Sequence, residues 1–127
     1  MDLRPRETVI LAEDFTALVS WYRDALGFKV TRLFEDEYHY VNLESESGIQ
    51  IGIASASEMG VEANDRSKNT VLMQYEVDDV KEFFEHLKSK GGKLTFGPSF
   101  DEKGGFWFGG VADPEGNPIW VVDKNCP

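Results

Sequence analysis

The sequence predicts an α+β fold in which two tandem βαβββ modules form one curved sheet cleft. Three observations carry that expectation: two amphipathic helical stripes, each opened by an aspartate and closed by glycine; three short strand-like runs behind each stripe; and a constant spacing that lays one half of the chain on the other. A chain of 127 residues supplies one good core rather than two, so a single domain over 1–127 is expected. Its 41% hydrophobic and 28% charged residues place it among ordinary globular proteins rather than disordered or fibrous ones.

The first module spans about 6–54. Thr8 to Ala12 is a short apolar run that stops at Glu13-Asp14, where the spacing changes from strand-like to helical. Asp14 suits an N-cap. Phe15, Leu18, Val19, Tyr22, Ala25 and Leu26 then recur at three- and four-residue steps, and Gly27 suits a left-handed C-terminal residue. Phe28 to Leu33, Tyr38 to Leu43 and Ile49 to Ala54 read as a three-strand meander between polar turns. A linker of about 55–68, rich in Ser, Glu, Asn and Gly, leads to a second module of about 69–123. There Val71 to Val77 reads as a strand and Asp78-Asp79 as a cap. Val80, Phe83, Phe84 and Leu87 form a stripe ending at Gly91-Gly92, and strands follow near Lys93 to Phe96, Phe106 to Ala112 and Pro118 to Val122. An offset of 65 carries Asp14 onto Asp79, Phe15 onto Val80, Val19 onto Phe84, Tyr22 onto Leu87 and Gly27 onto Gly92. This is the signature of a duplicated unit. A sheet covered by a helix on one face leaves its other face bare, so a cleft between the copies is expected.

Composition narrows the partners. Thirteen basic against twenty-three acidic residues give a net charge of −10, which opposes the phosphate contacts of nucleic-acid binding. The same acidity suits either a cationic ligand or a solubilising surface. The one cysteine, Cys126, cannot form an internal bridge. The N-terminal residues carry no apolar segment and no run is long enough to span a membrane. A cytoplasmic protein is expected.

With that layout in hand, three stretches resemble the vicinal oxygen chelate superfamily of glyoxalase I, extradiol dioxygenases, fosfomycin-resistance enzymes and bleomycin-resistance proteins. They are Glu13-Asp14-Phe15 with Trp21 through Phe28, then Tyr75 through Val80, and finally Val111 through Asn117. The resemblance covers nearly the whole chain and implies the glyoxalase/bleomycin resistance fold. In metal-dependent members it implies a ligand near the start of the first strand and another on the last strand of each half, converging on one divalent ion. The matching positions are Glu7, seven residues before Asp14, and Leu72, seven before Asp79, together with Gly52 and Trp120. Of these only Glu7 can donate an electron pair to a metal. A register slip of two residues would instead offer Gln50 and Gln74. The set points to a metal-free, cofactor-free protein closest in type to the bleomycin-resistance members, and so to antibiotic resistance. The family also implies a homodimer, with or without exchanged halves.

Strand alternation puts Glu7, Val9 and Leu11 on one face, with Gln50 and Gly52, Leu72 and Gln74, and Trp120 and Val122. Tyr40 and Asn42 are expected across from them, although the face of that strand is open. Candidate ligand-binding residues are therefore Glu7, Tyr40, Asn42, Gln50, Gln74, Trp107 and Trp120, the indoles suiting flat or cationic molecules. No catalytic residue is assigned: Glu7 could serve as a base only with a positioned substrate, which sequence does not show, and equally suits a salt-bridged or solvated position, His39 and His86 are isolated, and Cys126 sits near the end of the chain. The function expected is sequestration of a small molecule in an aromatic, acidic cleft. The alternative is a metal-dependent glyoxalase or lyase, dioxygenase or thiol transferase of the same superfamily.

Overall fold

The computed structural model describes residues 1–127, and the chain divides into two compact units, Met1–Asn64 and Asp65–Pro127. The first contains β1 (Thr8–Ala12), α1 (Phe15–Leu26), β2 (Lys29–Phe34), β3 (Tyr40–Glu44) and β4 (Gln50–Ser55). Its open sheet has the order β1-β4-β3-β2, with β1 parallel to β4 and the other pairs antiparallel. Ile10, Ala12, Val41, Leu43, Ile51 and Ile53 are buried with Leu18, Trp21, Tyr22 and Ala25 of α1. Each such side chain contributes about 1.5–3 kcal/mol where it is large and fully covered. The helix is bounded as its sequence demands. The Asp14 carboxylate accepts from the Ala17 N–H at 3.1 Å, and Gly27 closes the helix at φ 72°, where a side chain would be strained.

The second unit repeats this plan with β5 (Met73–Glu76), α2 (Val80–Ser89), β6 (Lys93–Asp101), β7 (Phe106–Ala112) and β8 (Pro118–Val122), in the order β5-β8-β7-β6. Asp79 caps α2 by accepting from the Glu82 N–H at 3.0 Å, and Val80, Phe84 and Leu87 are buried beneath it. The identical strand orders bear out the α+β, two-module fold class.

Strands β3 and β5 start two residues later than expected, at Tyr40 and Met73, and other features also depart from expectation. The left-handed residue after α2 is Gly91, at φ 78°, so the structural counterpart of Gly27 is Gly91 and not Gly92. The segment expected as the linker, about 55–68, holds a turn in which Val61 N–H donates to the Ala56 carbonyl at 2.9 Å and a single 3-10 turn, Arg66–Lys68. Strand β6 does not stop at Phe96 but continues through Gly97-Pro98 to Asp101; register shifts in its pairing with β7 absorb the proline, as edge strands permit.

A buried polar turn joins β7 to β8. Asp113 is fully buried; its Oδ1 accepts from the Glu115 and Asn117 N–H groups, each at 3.0 Å, and its Oδ2 from the Asn117 side-chain amide at 2.8 Å. Arg66 clamps the same turn from the 3-10 helix, donating to the Glu115 carbonyl at 3.2 Å and pairing with its carboxylate at 3.2 Å. Asp113→Ala strands three donors away from water and should cost about 3 kcal/mol, read as a lowered urea midpoint. Asp113→Asn keeps one acceptor and should cost less.

Candidate functional site

The face of the first sheet turned away from α1 carries a polar cluster. Glu7 lies one residue before β1, and its Oε2 accepts from the Tyr40 hydroxyl at 2.6 Å while its Oε1 accepts from the Asn42 amide at 2.6 Å. Tyr40 and Asn42 alternate on β3 with the buried Val41 and Leu43, which settles that strand's face. Beside them Gly52 pairs with Val9 and Asn42. A Cβ on Gly52 would run into both the Glu7 carboxylate and the Tyr40 hydroxyl. Glycine here is a requirement of space. Burial first, and then the hydrogen bond to Glu7, push the Tyr40 hydroxyl up to about 12, so it holds its proton as a donor.

This cluster opens on a groove of about 360 Å³ whose lining includes Arg6, Glu7, Arg32, Asn42 and Gln50. Arg32 reaches that face because of a bulge. Val30 pairs with Leu43 and Arg32 with Asn42, which leaves Thr31 unpaired in the ladder; its hydroxyl instead donates to the Asn42 carbonyl at 3.3 Å. The extra residue turns Arg32 and Phe34 to the Glu7 side.

The second sheet carries the same device with different chemistry. Leu94 pairs with Val111 and Phe96 with Gly110, so Thr95 is the odd residue and Phe96 is delivered to the face of Trp120. Their rings meet edge-on at 5.8 Å between centroids, and a side chain on Gly110 would strike the Phe96 ring. Phe108 lies 6.5 Å from Phe96 and 6.0 Å from Phe106. Phe96 and Trp120 are 41% and 44% exposed, a degree of exposure that makes the patch available to a flat molecule.

Register decides the correspondence between the copies. Gln74 pairs with Trp120 and Trp120 with Gly110, as Val9 pairs with Gly52 and Gly52 with Asn42. Leu72 therefore stands where Glu7 stands, Trp120 where Gly52 stands, Gly110 where Asn42 stands, and Phe96 where Arg32 stands. Gln50 lies two residues before Gly52 on β4, and Gln74 two after Leu72, on the same faces as those positions.

Of the residues singled out in the sequence, Glu7, Tyr40, Asn42 and Gln50 come together in the first unit, and Gln74 and Trp120 are neighbours in the second. Trp107 does not join them. It alternates with Phe106 and Phe108 and lies on the helix side, where the Lys81 ammonium of α2 sits 3.9 Å from its ring centroid and Phe100 lies 5.3 Å away. It is thus placed on the opposite face from Trp120, with which the sequence grouped it. His39 precedes β3 and meets the Glu58 carboxylate at 2.6 Å, which holds that carboxyl below its usual range. His86 lies in the last turn of α2. Cys126 is half-buried in a turn where its N–H reaches the Asp123 carbonyl at 3.2 Å. Arg32, Phe96 and Phe108 went unmarked in the sequence. The one local hint is the recurrence of threonine between an apolar residue and the re-aimed side chain, Val30-Thr31-Arg32 and Leu94-Thr95-Phe96.

With fold and register in place, the family model described as Glyoxalase/Bleomycin resistance protein/Dioxygenase superfamily matches residues 4–121. The chain belongs to this superfamily. Among solved structures, a superfamily member from Sphaerobacter thermophilus aligns with TM-score 0.78 and 18% identity over 97% of this chain and 98% of that one. A family enzyme from Burkholderia phytofirmans gives 0.73 and 17% over 92% and 95%. A glyoxalase I mutant from Zea mays gives 0.74 and 22%, over 91% of this chain but 43% of its own. At these identities the likeness is one of fold. No curated protein matches. No helix is long and apolar enough to cross a membrane.

The superfamily's divalent ion does not fit the residues at its expected positions. Gly52 and Leu72 have no lone pair to give, the Trp120 indole nitrogen only donates, and both Glu7 oxygens already accept short hydrogen bonds. A lone carboxylate does not hold such an ion against water.

Two tyrosines report on this geometry. Tyr40 and Tyr75 both titrate near 12, Tyr75 through burial alone. A hydroxyl whose proton is held more tightly in the folded chain stabilises it fully below about pH 10, and that contribution disappears as pH rises through about 12. In an alkaline titration followed by tyrosinate absorbance, Glu7→Gln should lower the Tyr40 transition part of the way toward its ordinary value and leave that of Tyr75 in place. Gly52→Ala should do the same by displacing the carboxylate.

Proposed function

We propose that the chain is a small-molecule-binding member of its superfamily that works without a metal, in the manner of the bleomycin-resistance type, and holds its ligand without making or breaking a bond. The observation that carries this reading is the state of Glu7. It is the sole lone-pair donor among the four superfamily positions, and each of its oxygens already accepts a short hydrogen bond, from Tyr40 or Asn42. A second support is the exposed aromatic surface of Phe96 and Trp120, standing where a metal-dependent member would need a carboxylate. Stacking and edge contacts on such rings are worth about 0.5–1.5 kcal/mol each. Planar aromatic ligands are the natural class. A purely cationic ligand is less well supported than the net charge suggested, because the groove of the first unit sets Arg6 and Arg32 against Glu7 and Glu44.

Elemental analysis of the purified protein should find no stoichiometric nickel, zinc, manganese or iron, and adding these ions should leave the melting temperature unchanged. Stoichiometric metal that raises it would establish the metal-dependent enzyme instead. Thermal-shift screening with planar aromatic and cationic glycopeptide compounds should find stabilising ligands, a probe at one hundred times its Kd adding about 2.7 kcal/mol. Trp120→Ala should abolish the shift; retention of it would place binding away from this face.

A further inference from the structure

The bulge at Thr31 sets the positions of Arg32 and of Phe34 beside it. With unbroken alternation from Val30, which pairs with Leu43, Arg32 would share the face of the buried core. The bulge brings it opposite Asn42, beside Glu7, in the groove. Its guanidinium then lies 4.2 Å from the centroid of Phe34, a contact that steadies the plane and leaves its N–H edge unengaged. Arg6 lines the same groove, close enough for its charge to favour ionisation of the Tyr40 hydroxyl. Neither arginine is paired with a carboxylate, although the chain has twenty-three of them and Glu7 lines the same groove. Glu7 is instead satisfied by two neutral donors.

We propose that the groove of the first unit recognises an oxyanion on a small organic ligand, a carboxylate or phosphate ester, through the fork of Arg32 with Arg6 in support. The proposal rests on reading the chain as a small-molecule binder and names the chemical class that the groove of the first unit takes, a site to which the aromatic residues of the second unit are not assigned. The groove's volume of about 360 Å³ falls in the range of small-ligand sites. Planar guanidinium groups bind carboxylate and phosphate in two-pronged fashion, where an ammonium offers only a point charge. Glu7 in the same groove works against a second negative charge on the ligand, so a carboxylate should bind more tightly than a phosphate dianion.

The test is isothermal titration of the intact protein with four probes that share one ring system: naphthoate, naphthyl phosphate, naphthamide and naphthylmethylammonium. An oxyanion should bind roughly tenfold or more tightly than the neutral amide, with added salt weakening the preference. Arg32→Gln should abolish that advantage while its far-ultraviolet circular dichroism and urea midpoint match the parent protein. Arg32→Lys should restore only part of it. The order of naphthoate and naphthyl phosphate identifies the source of the oxyanion. If amide or ammonium binds as tightly as the oxyanions, or if Arg32→Gln keeps their advantage, the proposal fails while the small-molecule reading stands. Absence of binding by all four overturns both.

Discussion

Parallel pairing of the first strand of each unit with its last, Val9 on Gly52 and Gln74 on Trp120, fixes which side chains face the helix and which are left for chemistry. Because strand side chains alternate with a period of two, a slip of one residue would bury Glu7 and expose Ile10. The cost of that exchange is what makes the register unambiguous. Ile10, Ala12, Ile51 and Ile53 are buried, and their burial holds Glu7, Gly52, Tyr40 and Asn42 together on the opposite face without any of these polar groups contributing to the core.

On that common frame the two copies diverge by complementary exchange of volume. The first unit has glycine at the last-strand position and fills the space with the Glu7 carboxylate and Tyr40 hydroxyl. The second has Trp120 there, and its glycine lies at Gly110, where the Phe96 ring occupies the room. One face is thereby polar and hydrogen-bonded, the other aromatic. Both keep the bulge that follows the helix, so divergence has changed the delivered side chain, Arg32 or Phe96, and left the delivery intact.

This explains which features were legible in the sequence. Helices were, because Asp14 and Asp79 cap periodic apolar stripes and local chemistry decides where a helix starts. The helix-facing sides of the strands were also legible, since apolar alternation is a direct record of burial. The face of Trp107 was not legible because an indole at a strand position carries no sign of which face it takes; that face is set by pairing with Phe100 on the adjoining strand and by Lys81 on α2. Arg32 and Phe96 were hidden for a stronger reason. A bulge breaks the very periodicity by which faces are read, and its partner strand, not its own composition, determines where the extra residue sits. Tyr40 and Asn42 were located, but their common partner Glu7 became evident only when a contact across 33 and 35 residues was formed.

Net charge is a property of the whole surface and not of the groove. A total of −10 describes the long-range field, and at physiological ionic strength that field is screened over about 8 Å. A ligand seated in the groove is within contact distance of a few groups and beyond the screening length of most of the surface. There the balance is two guanidinium groups against the Glu7 and Glu44 carboxylates, and the hydrogen bonds Glu7 already accepts from Tyr40 and Asn42 leave it fewer free lone pairs to attract a cation. Arg6 and Arg32 have no such engagement. Local geometry therefore offsets the acidity that composition records, and it is the engagement of Glu7 that distinguishes the carboxylates from the arginines in this groove.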